Sequence, residues 1–174
     1  MGLAGASGRI VFRRTEEGDL DRVLQIEGDP ENASLVRQWT AQQHRDAFSD
    51  ADYAHVVAVR RSDDRVIGYV ILRGLTDADQ NVEFKRMVVD VKGEGFGRDT
   101  VRLVKEMAFG ELRAHRLWLE AMEHNTRARR LYASEGFVEE GVHRESVKQG
   151  TRRISLVVMS MLKREYDPEG DTEM

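Results

Sequence analysis

The sequence predicts an α/β domain in which a mixed, mostly antiparallel central sheet of about six or seven strands carries helices on both faces. Three observations lead there. Short β-branched runs alternate with helical periodicity in the order strand, two helices, three strands, helix, strand, helix, two strands. The tight turns Ser62-Asp63-Asp64 and Lys148-Gln149-Gly150 make two of the strand pairs antiparallel hairpins, and the one helical crossover follows a glycine-rich segment, Lys92 to Arg98. With 174 residues and no cysteine, the chain can bury a single core without disulfides or metals.

Ile10 to Arg13 is a short strand, and Asp19 stands where it would cap a helix carrying Leu20, Val23, Leu24 and Ile26. Gly28-Asp29-Pro30 ends that helix, and a second is expected from about Ala33 to Phe48. Ala54 to Arg60 and Val66 to Leu72 form the first hairpin, and the polar stretch Gly74 to Asn81 leads into a strand over Phe84 to Val89. Alternation along that strand puts Glu83 on the side of Lys85, Met87 and Val89. Val101, Leu103, Val104, Met107 and Ala108 mark the helix after the glycines, and Arg116 to Glu120 the next strand. Asn125 caps a helix that Gly136 ends, and Phe137 to Arg144 and Arg152 to Leu162 complete the sheet.

Balancing 27 Lys and Arg against 31 Asp and Glu gives a formal net charge of −4, which argues against a nucleic-acid-binding domain with a dominant basic face. Cationic acceptors remain in play. The opening MGLAGASGRI contains neither a charged leader followed by an apolar run nor a spanning segment, so a cytoplasmic protein with no membrane partner is expected. The five histidines show no metal-ligand spacing, so no metal is expected. Residues 1–9 read as a flexible N-terminus, 10–166 as one domain and 167–174 as a disordered acidic tail, with a homodimer left open.

The strand, bare turn and helix start in succession around Gly93, Gly95 and Gly97. Glycines there admit unusual backbone angles and clear side chains from the main-chain NH groups, while the helix start adds the positive end of its dipole. An anion, best a phosphate, is the expected guest. A nucleotide-triphosphate loop would need Lys and then Ser or Thr after its last glycine, but Arg98 and Asp99 follow Gly97. A dinucleotide turn counted from Gly93 would put Arg98 in its third glycine position, so that reading rests on Glu120 at the end of the next strand.

The remaining pattern, Lys92-Gly93-Glu94-Gly95-Phe96-Gly97-Arg98, is followed about thirty residues later by Asn125-x-x-Ala128-x-x-x-Tyr132-x-x-x-Gly136-Phe137. Together they resemble the two acetyl-CoA signatures of the GNAT N-acetyltransferases, and the segment Gly141 to Glu145 before a hairpin is similar to the RimJ/RimL-type branch. Only Val91 and Lys92 separate Asp90 from Gly93, a shorter loop than many members carry, so phosphate contacts can shift along it by a residue. The resemblance implies a GNAT fold and direct transfer of an acetyl group from acetyl-CoA to a primary amine. It implies that Met87, Val88 and Val89 bond the pantetheine through their backbone and that the neighbouring strand splays to admit it. The same carry-over puts the Val88 NH opposite the thioester oxygen, makes Tyr132 the acid for the leaving thiolate, and makes Glu83 a base acting through water. Glu120, His124 and His143 are alternative bases. Lys92 to Arg98, Asn125 and Ala128 complete the cofactor set.

Reference values of about 10 for tyrosine and about 8.5 for a thiol make proton transfer from Tyr132 uphill by roughly 2 kcal/mol, so a hydrogen bond to the thiolate serves as well as transfer. Arg98, Arg127 and Arg130 are placed to reach the CoA phosphates, while Arg127, Arg129 and Arg130 taken together read more often as a solvated face. The acceptor is expected to be a polyamine, another small amine or a protein N-terminus, drawn by a carboxylate rim of Glu27, Asp29 and Glu31 between the first two helices. A dinucleotide-binding oxidoreductase and a catalytically silent acyl-CoA-binding domain stand as the alternatives.

Overall fold

The computed structural model describes residues 8–169. Most of the expected flexible leader and acidic tail lies outside them. In chain order the elements are β1 (Ile10–Arg14), α1 (Leu20–Gly28), α2 (Pro30–Ala33), α3 (Ala41–Ser49), β2 (Tyr53–Arg60), β3 (Arg65–Arg73), β4 (Asn81–Val89) and α4 (Phe96–Glu106). They continue as a π turn (Met107–Glu111), β5 (Arg116–Met122), α5 (Thr126–Ser134), β6 (Val138–Gln149) and β7 (Arg152–Leu162). The seven strands form one sheet in the order β1-β2-β3-β4-β5-β7-β6. Each neighbouring pair is antiparallel except β4 with β5, as the single expected crossover requires.

Both faces are covered. On one, Val101, Val104 and Met107 of the α4 segment and Tyr132 of α5 pack with Ile67, Val70, Leu72, Val82, Phe84, Leu117 and Leu119. On the other, Val23 and Ile26 of α1 meet Val57, Val59, Tyr69, Ile71 and Val88. Adjacent strand residues thus serve opposite cores, which is why β2 and β3 read as nearly unbroken apolar runs.

Two irregularities in β4 position the site. Arg86 pairs with Ile71 while Phe84 pairs with Leu72, so Lys85 is an extra residue bulged out of the ladder. The bulge reverses the alternation: Phe84 and Met87 join the α4 face, whereas Arg86 and Val88 face α1. Glu83 therefore does not share a side with Met87 and Val89; paired with Arg73, it shares the α1 face with Arg86. The second irregularity is that β4 and β5 pair only through Asn81, Val82 and Glu83 and then part. That is the splay the family resemblance implies.

Three local expectations are corrected. Asp19 does not cap α1 with its side chain; its carboxylate accepts from the Glu16 amide at 2.8 Å and from Arg13 at 2.7 and 2.8 Å, closing a short turn ahead of the helix. The second helix does not run from Ala33 to Phe48. Asp29 caps the four-residue α2 with Pro30 at its start, an irregular loop follows, and Thr40 with Gln43 forms a capping box that restarts the chain as α3. Arg9, expected in the flexible leader, pairs with Asp99 at 2.7 Å, donates to the Glu94 carbonyl at 2.8 Å and lies 4.5 Å over the Phe96 ring.

Gly68 is demanded by close approach, because a Cβ there would stand 2.5 Å from the Val88 carbonyl oxygen. Gly68→Ala is expected to lower stability by about 1–3 kcal/mol, since the obstacle is backbone that cannot rotate away. Chemical denaturation checks this, and an unchanged midpoint would contradict the packing described.

Candidate active site

The parted strands open a cavity of about 1110 Å³. Its wall takes Glu83 to Val89 from β4, Gly93 and Gly95 to Arg98 from the glycine turn and α4, Glu120 to Met122 from β5, and Asn125, Ala128 and Tyr132 from α5 and its cap. Beyond Glu83, β4 has no ladder partner on its β5 side, so its NH and C=O groups there are open to a ligand that carries amides. Gly93 and Gly95 have φ of +77° and +82°, angles that other residues rarely adopt, and Gly95 is the N-cap of α4. The Phe96, Gly97 and Arg98 amides begin that helix without intrahelical acceptors, and these residues line the cavity, an arrangement suited to an anion.

Tyr132 enters from the α4 face, its ring edge-on to Phe84 at 5.9 Å and to Phe137 at 5.8 Å. No hydrogen-bond partner of its hydroxyl occurs among the described residues, and burial pushes its pKa up to about 12, so it keeps its proton. Glu83 approaches from the opposite face, its side chain 14% exposed. Burial pushes its carboxyl above the usual range, reinforced by Glu120 and only partly offset by Lys85 at 3.8 Å and Arg73 at 3.9 Å. Glu120 lies on the same side two residues beyond the last paired position of β5, with His143 Nδ1 2.8 Å from its carboxylate. His124 does not line the cavity.

Of the expected cofactor residues, Met87, Val88, Val89, Lys92, Gly93, Gly95, Phe96, Gly97, Arg98, Asn125 and Ala128 all reach the cavity wall. Glu94 does not, since its exposed side chain is turned to solvent and its carbonyl is held by Arg9. Arg98 reaches it already paired with buried Glu135, which Arg102 and Lys105 also contact. Arg127 and Arg130, read from sequence as solvated, border the cavity as well. Asn125 accepts from the Ala128 amide at 3.2 Å, so it caps α5 and lines the cavity together. Lys92 Nζ donates to Asn32 Oδ1 at 2.6 Å, tying the glycine turn to α2.

The expected carboxylate rim is corrected. Glu31 is exposed and lines the cavity, but Asp29 caps α2 away from it, and Glu27 is buried, 1% exposed. The loss of Glu27 to the core has a plain cause: the Trp39 amide, His44 and the Tyr69 hydroxyl all point donors at its carboxylate. His44 and His55 were invisible as partners in the sequence, because they meet only when α3 packs on β2. Among the described residues no group of three or more His, Cys, Asp or Glu is placed to hold a metal ion.

Residues 9–138 match the family model of the acetyltransferase (GNAT) domain. The chain belongs to the GNAT acetyltransferase family. It is 35% identical over 101 residues to the probable N-acetyltransferase YjcK of Bacillus subtilis, spanning 57% of this chain and about half, 55%, of that protein. It is 25% identical over 146 residues, 78% of this chain and 82% of the relative, to the spermidine N(1)-acetyltransferase of Vibrio cholerae. The crystal structure of spermidine N-acetyltransferase from Vibrio cholerae in complex with CoA and spermine superposes with a TM-score of 0.81 at 21% identity. That match covers 91% of this chain and 98% of the other, which shows the shared fold. The matched domain is an acetyltransferase domain, and the oxidoreductase and silent-domain readings find no support.

The glycine turn of this GNAT chain can be tested without a helix-breaking change. Asn tolerates the left-handed angles of Gly95, and its Cβ would crowd only the flexible Arg9 side chain, at 3.1 Å. Gly95→Asn is expected to raise the acetyl-CoA dissociation constant about tenfold or more with little loss of stability. Calorimetric titration of the folded variant reads it, and unchanged affinity would remove the turn from the cofactor site.

Proposed function

We propose that the acceptor is a cationic primary amine of the polyamine type, held on the α1 face of the parted strands and deprotonated through Glu83. The observation that carries this is the division of labour across β4: Glu83 and Glu120 gather at the cavity on one face, and Tyr132 stands on the other. Glu83 and Glu120 give the acceptor side two carboxylates that attract an ammonium group, and Glu31 adds a third to the wall of the same cavity. The name of the Vibrio cholerae relative supports the same class. The segment Gly141 to Glu145, inside the long β6, supports a place beside the RimJ/RimL-type branch.

Acetyl-CoA supplies an acetyl group activated as a thioester. The cavity fits it, with open strand backbone for the pantetheine amides and free helix-start NH groups, Arg127 and Arg130 for phosphate. Glu83 takes the amine proton, directly or through water, as the nitrogen bonds to the carbonyl carbon. The Val88 NH is the proposed donor to the negative charge on the thioester oxygen. As the carbon–sulfur bond breaks, Tyr132 meets the thiolate. With Tyr132 at about 12 against about 8.5 for an ordinary thiol, full transfer would be uphill by roughly 5 kcal/mol. The same burial raises the thiol too, so the hydroxyl serves first as a hydrogen-bond donor.

Turnover of spermidine, of an amine with a neutral tail and of an N-terminal peptide separates the acceptor classes. Spermidine is expected to show the lowest KM, rising with salt as screening weakens the carboxylates. Equal KM for the neutral-tailed amine at low salt would reject the cationic acceptor.

Because the base works as a carboxylate and burial raises its pKa, kcat/KM should fall as pH drops through a value above the ordinary glutamate range. Glu83→Gln should cost about 10²-fold or more in kcat and abolish that acid limb. If the limb persists, another group is the base.

Tyr132→Phe keeps the ring contacts with Phe84 and Phe137 and removes only the hydroxyl. A loss of about 10²- to 10³-fold in kcat with acetyl-CoA affinity nearly kept is expected. Unchanged single-turnover rates would reduce Tyr132 to a packing residue.

A further inference from the structure

Behind the acceptor side of the cavity lies a buried carboxylate that the mechanism above does not use. Glu27 on α1 receives the Trp39 amide on one oxygen; the other receives the Tyr69 hydroxyl and His44 Nε2, the latter at 2.9 Å, and lies 3.4 Å from Arg86 Nη1. The network continues inward, with His55 Nε2 at 2.9 Å from His44 Nδ1 and Thr15 Oγ1 at 2.7 Å from His55 Nδ1. One set of donors and acceptors satisfies every contact: Thr15 donates to His55, His55 to His44, and His44 to Glu27. Burial, helped by His44, pulls the His55 pKa down to about 3, so that ring stays neutral. Burial alone would push the Glu27 carboxyl up, but the donors His44, Tyr69 and Trp39 and the Arg86 charge outweigh it, and Glu27 is an anion.

A buried ion is an expensive way to hold a core together, since apolar residues of similar volume often do as well. What this one holds is the cavity wall. Arg86, its side chain 8% exposed, donates to the Arg37 carbonyl and lies 4.7 Å over the Trp39 ring. The irregular segment between α2 and α3 is thereby fixed at two points, the Trp39 amide on Glu27 and the Arg37 carbonyl on Arg86. Leu35, Val36, Arg37 and Arg86 all line the cavity, on the face that the Lys85 bulge gives to Glu83 as well. We infer that Glu27 is a positioning residue for the acceptor: acting through Arg86 and the segment from Leu35 to Trp39, it sets the wall that holds the amine against Glu83. It touches no reacting atom, and its role in acceptor binding rests on the acetyl-transfer reading of the same cavity.

Two variants test this, each measured for steady-state kinetics with spermidine, acetyl-CoA affinity and hydrogen exchange at the Trp39 amide. Glu27→Gln keeps the shape but sets an amide donor among donors; Arg86→Met cuts the link to the wall and leaves Glu27 its other three partners. Both are expected to raise the spermidine KM about tenfold or more, with kcat and acetyl-CoA affinity within about twofold. The double variant should fall well short of the product of the single effects, because they share one path. Exchange at Trp39 should quicken about tenfold or more in Glu27→Gln, and Glu27→Asp should recover part of each change. A folded Arg86→Met protein with unchanged spermidine KM overturns the inference, as does an acetyl-CoA affinity that falls in step with the acceptor's, and Arg86→Met decides alone if Glu27→Gln does not fold. Should the wild type acetylate no primary amine, the acetyl-transfer reading fails by itself; Trp39 exchange then decides the positioning role, supported by faster exchange in Glu27→Gln and overturned by the wild-type rate.

Discussion

The site depends on two parallel strands that stop pairing. β4 and β5 share three register positions, end at Glu83 and Trp118, and then separate around a cavity. Leaving backbone groups unpaired costs about 1–3 kcal/mol for each one that is also shut away from water. The fold tolerates this because the gap is open and because a ligand with amides of its own can complete the ladder. Each functional group is placed with reference to the gap: the helix-start amides of α4 beyond its far end, the hydroxyl of Tyr132 over one face, and the carboxylates of Glu83 and Glu120 over the other.

A single extra residue decides which side chains meet there. In a regular strand Glu83 and Arg86 would point to opposite faces, because the side-chain period is two. The bulge at Lys85 adds one position, so both face α1, while Phe84 and Met87 pack toward α4. The α1 face of the cavity therefore gains a carboxylate and a structural cation from one short stretch without disturbing the apolar contacts that fix Tyr132.

Two glutamates show how similar burial yields opposite chemistry. Glu27 is surrounded by donors at hydrogen-bond range, and its carboxyl titrates below the usual range despite burial. Glu83 has cations only at 3.8 and 3.9 Å and a second carboxylate nearby, so burial prevails and its carboxyl titrates above that range. The first is locked as an anion and suits a fixed framework. The second holds its proton more tightly than an ordinary glutamate, as a group that takes up a proton must. Glu135 follows the first pattern, held low against burial by Lys105, Arg98 and Arg102, and it joins α5 to α4 beside the glycine turn.

The sequence by itself determined whatever depends on local periodicity and on residues with unusual backbone freedom. The seven strands, the turn at Gly93, Gly95 and Gly97, the Asn125 cap and the paired motifs that led to the family were legible because each is written in fewer than about twenty consecutive residues. The second-helix boundary was legible in principle, since Thr40 and Gln43 spell a capping box, but the apolar pattern running across it concealed the break. Only the tertiary structure decided the rest. Glu27, Asp29 and Glu31 form one acidic run in the chain, yet they end in a core, a cap and a cavity wall, because burial depends on what α3 and β3 bring to the same place. The side of β4 on which Glu83 lies was likewise undecided until the partner strand was known, since a bulge is a property of two strands in register, not of one.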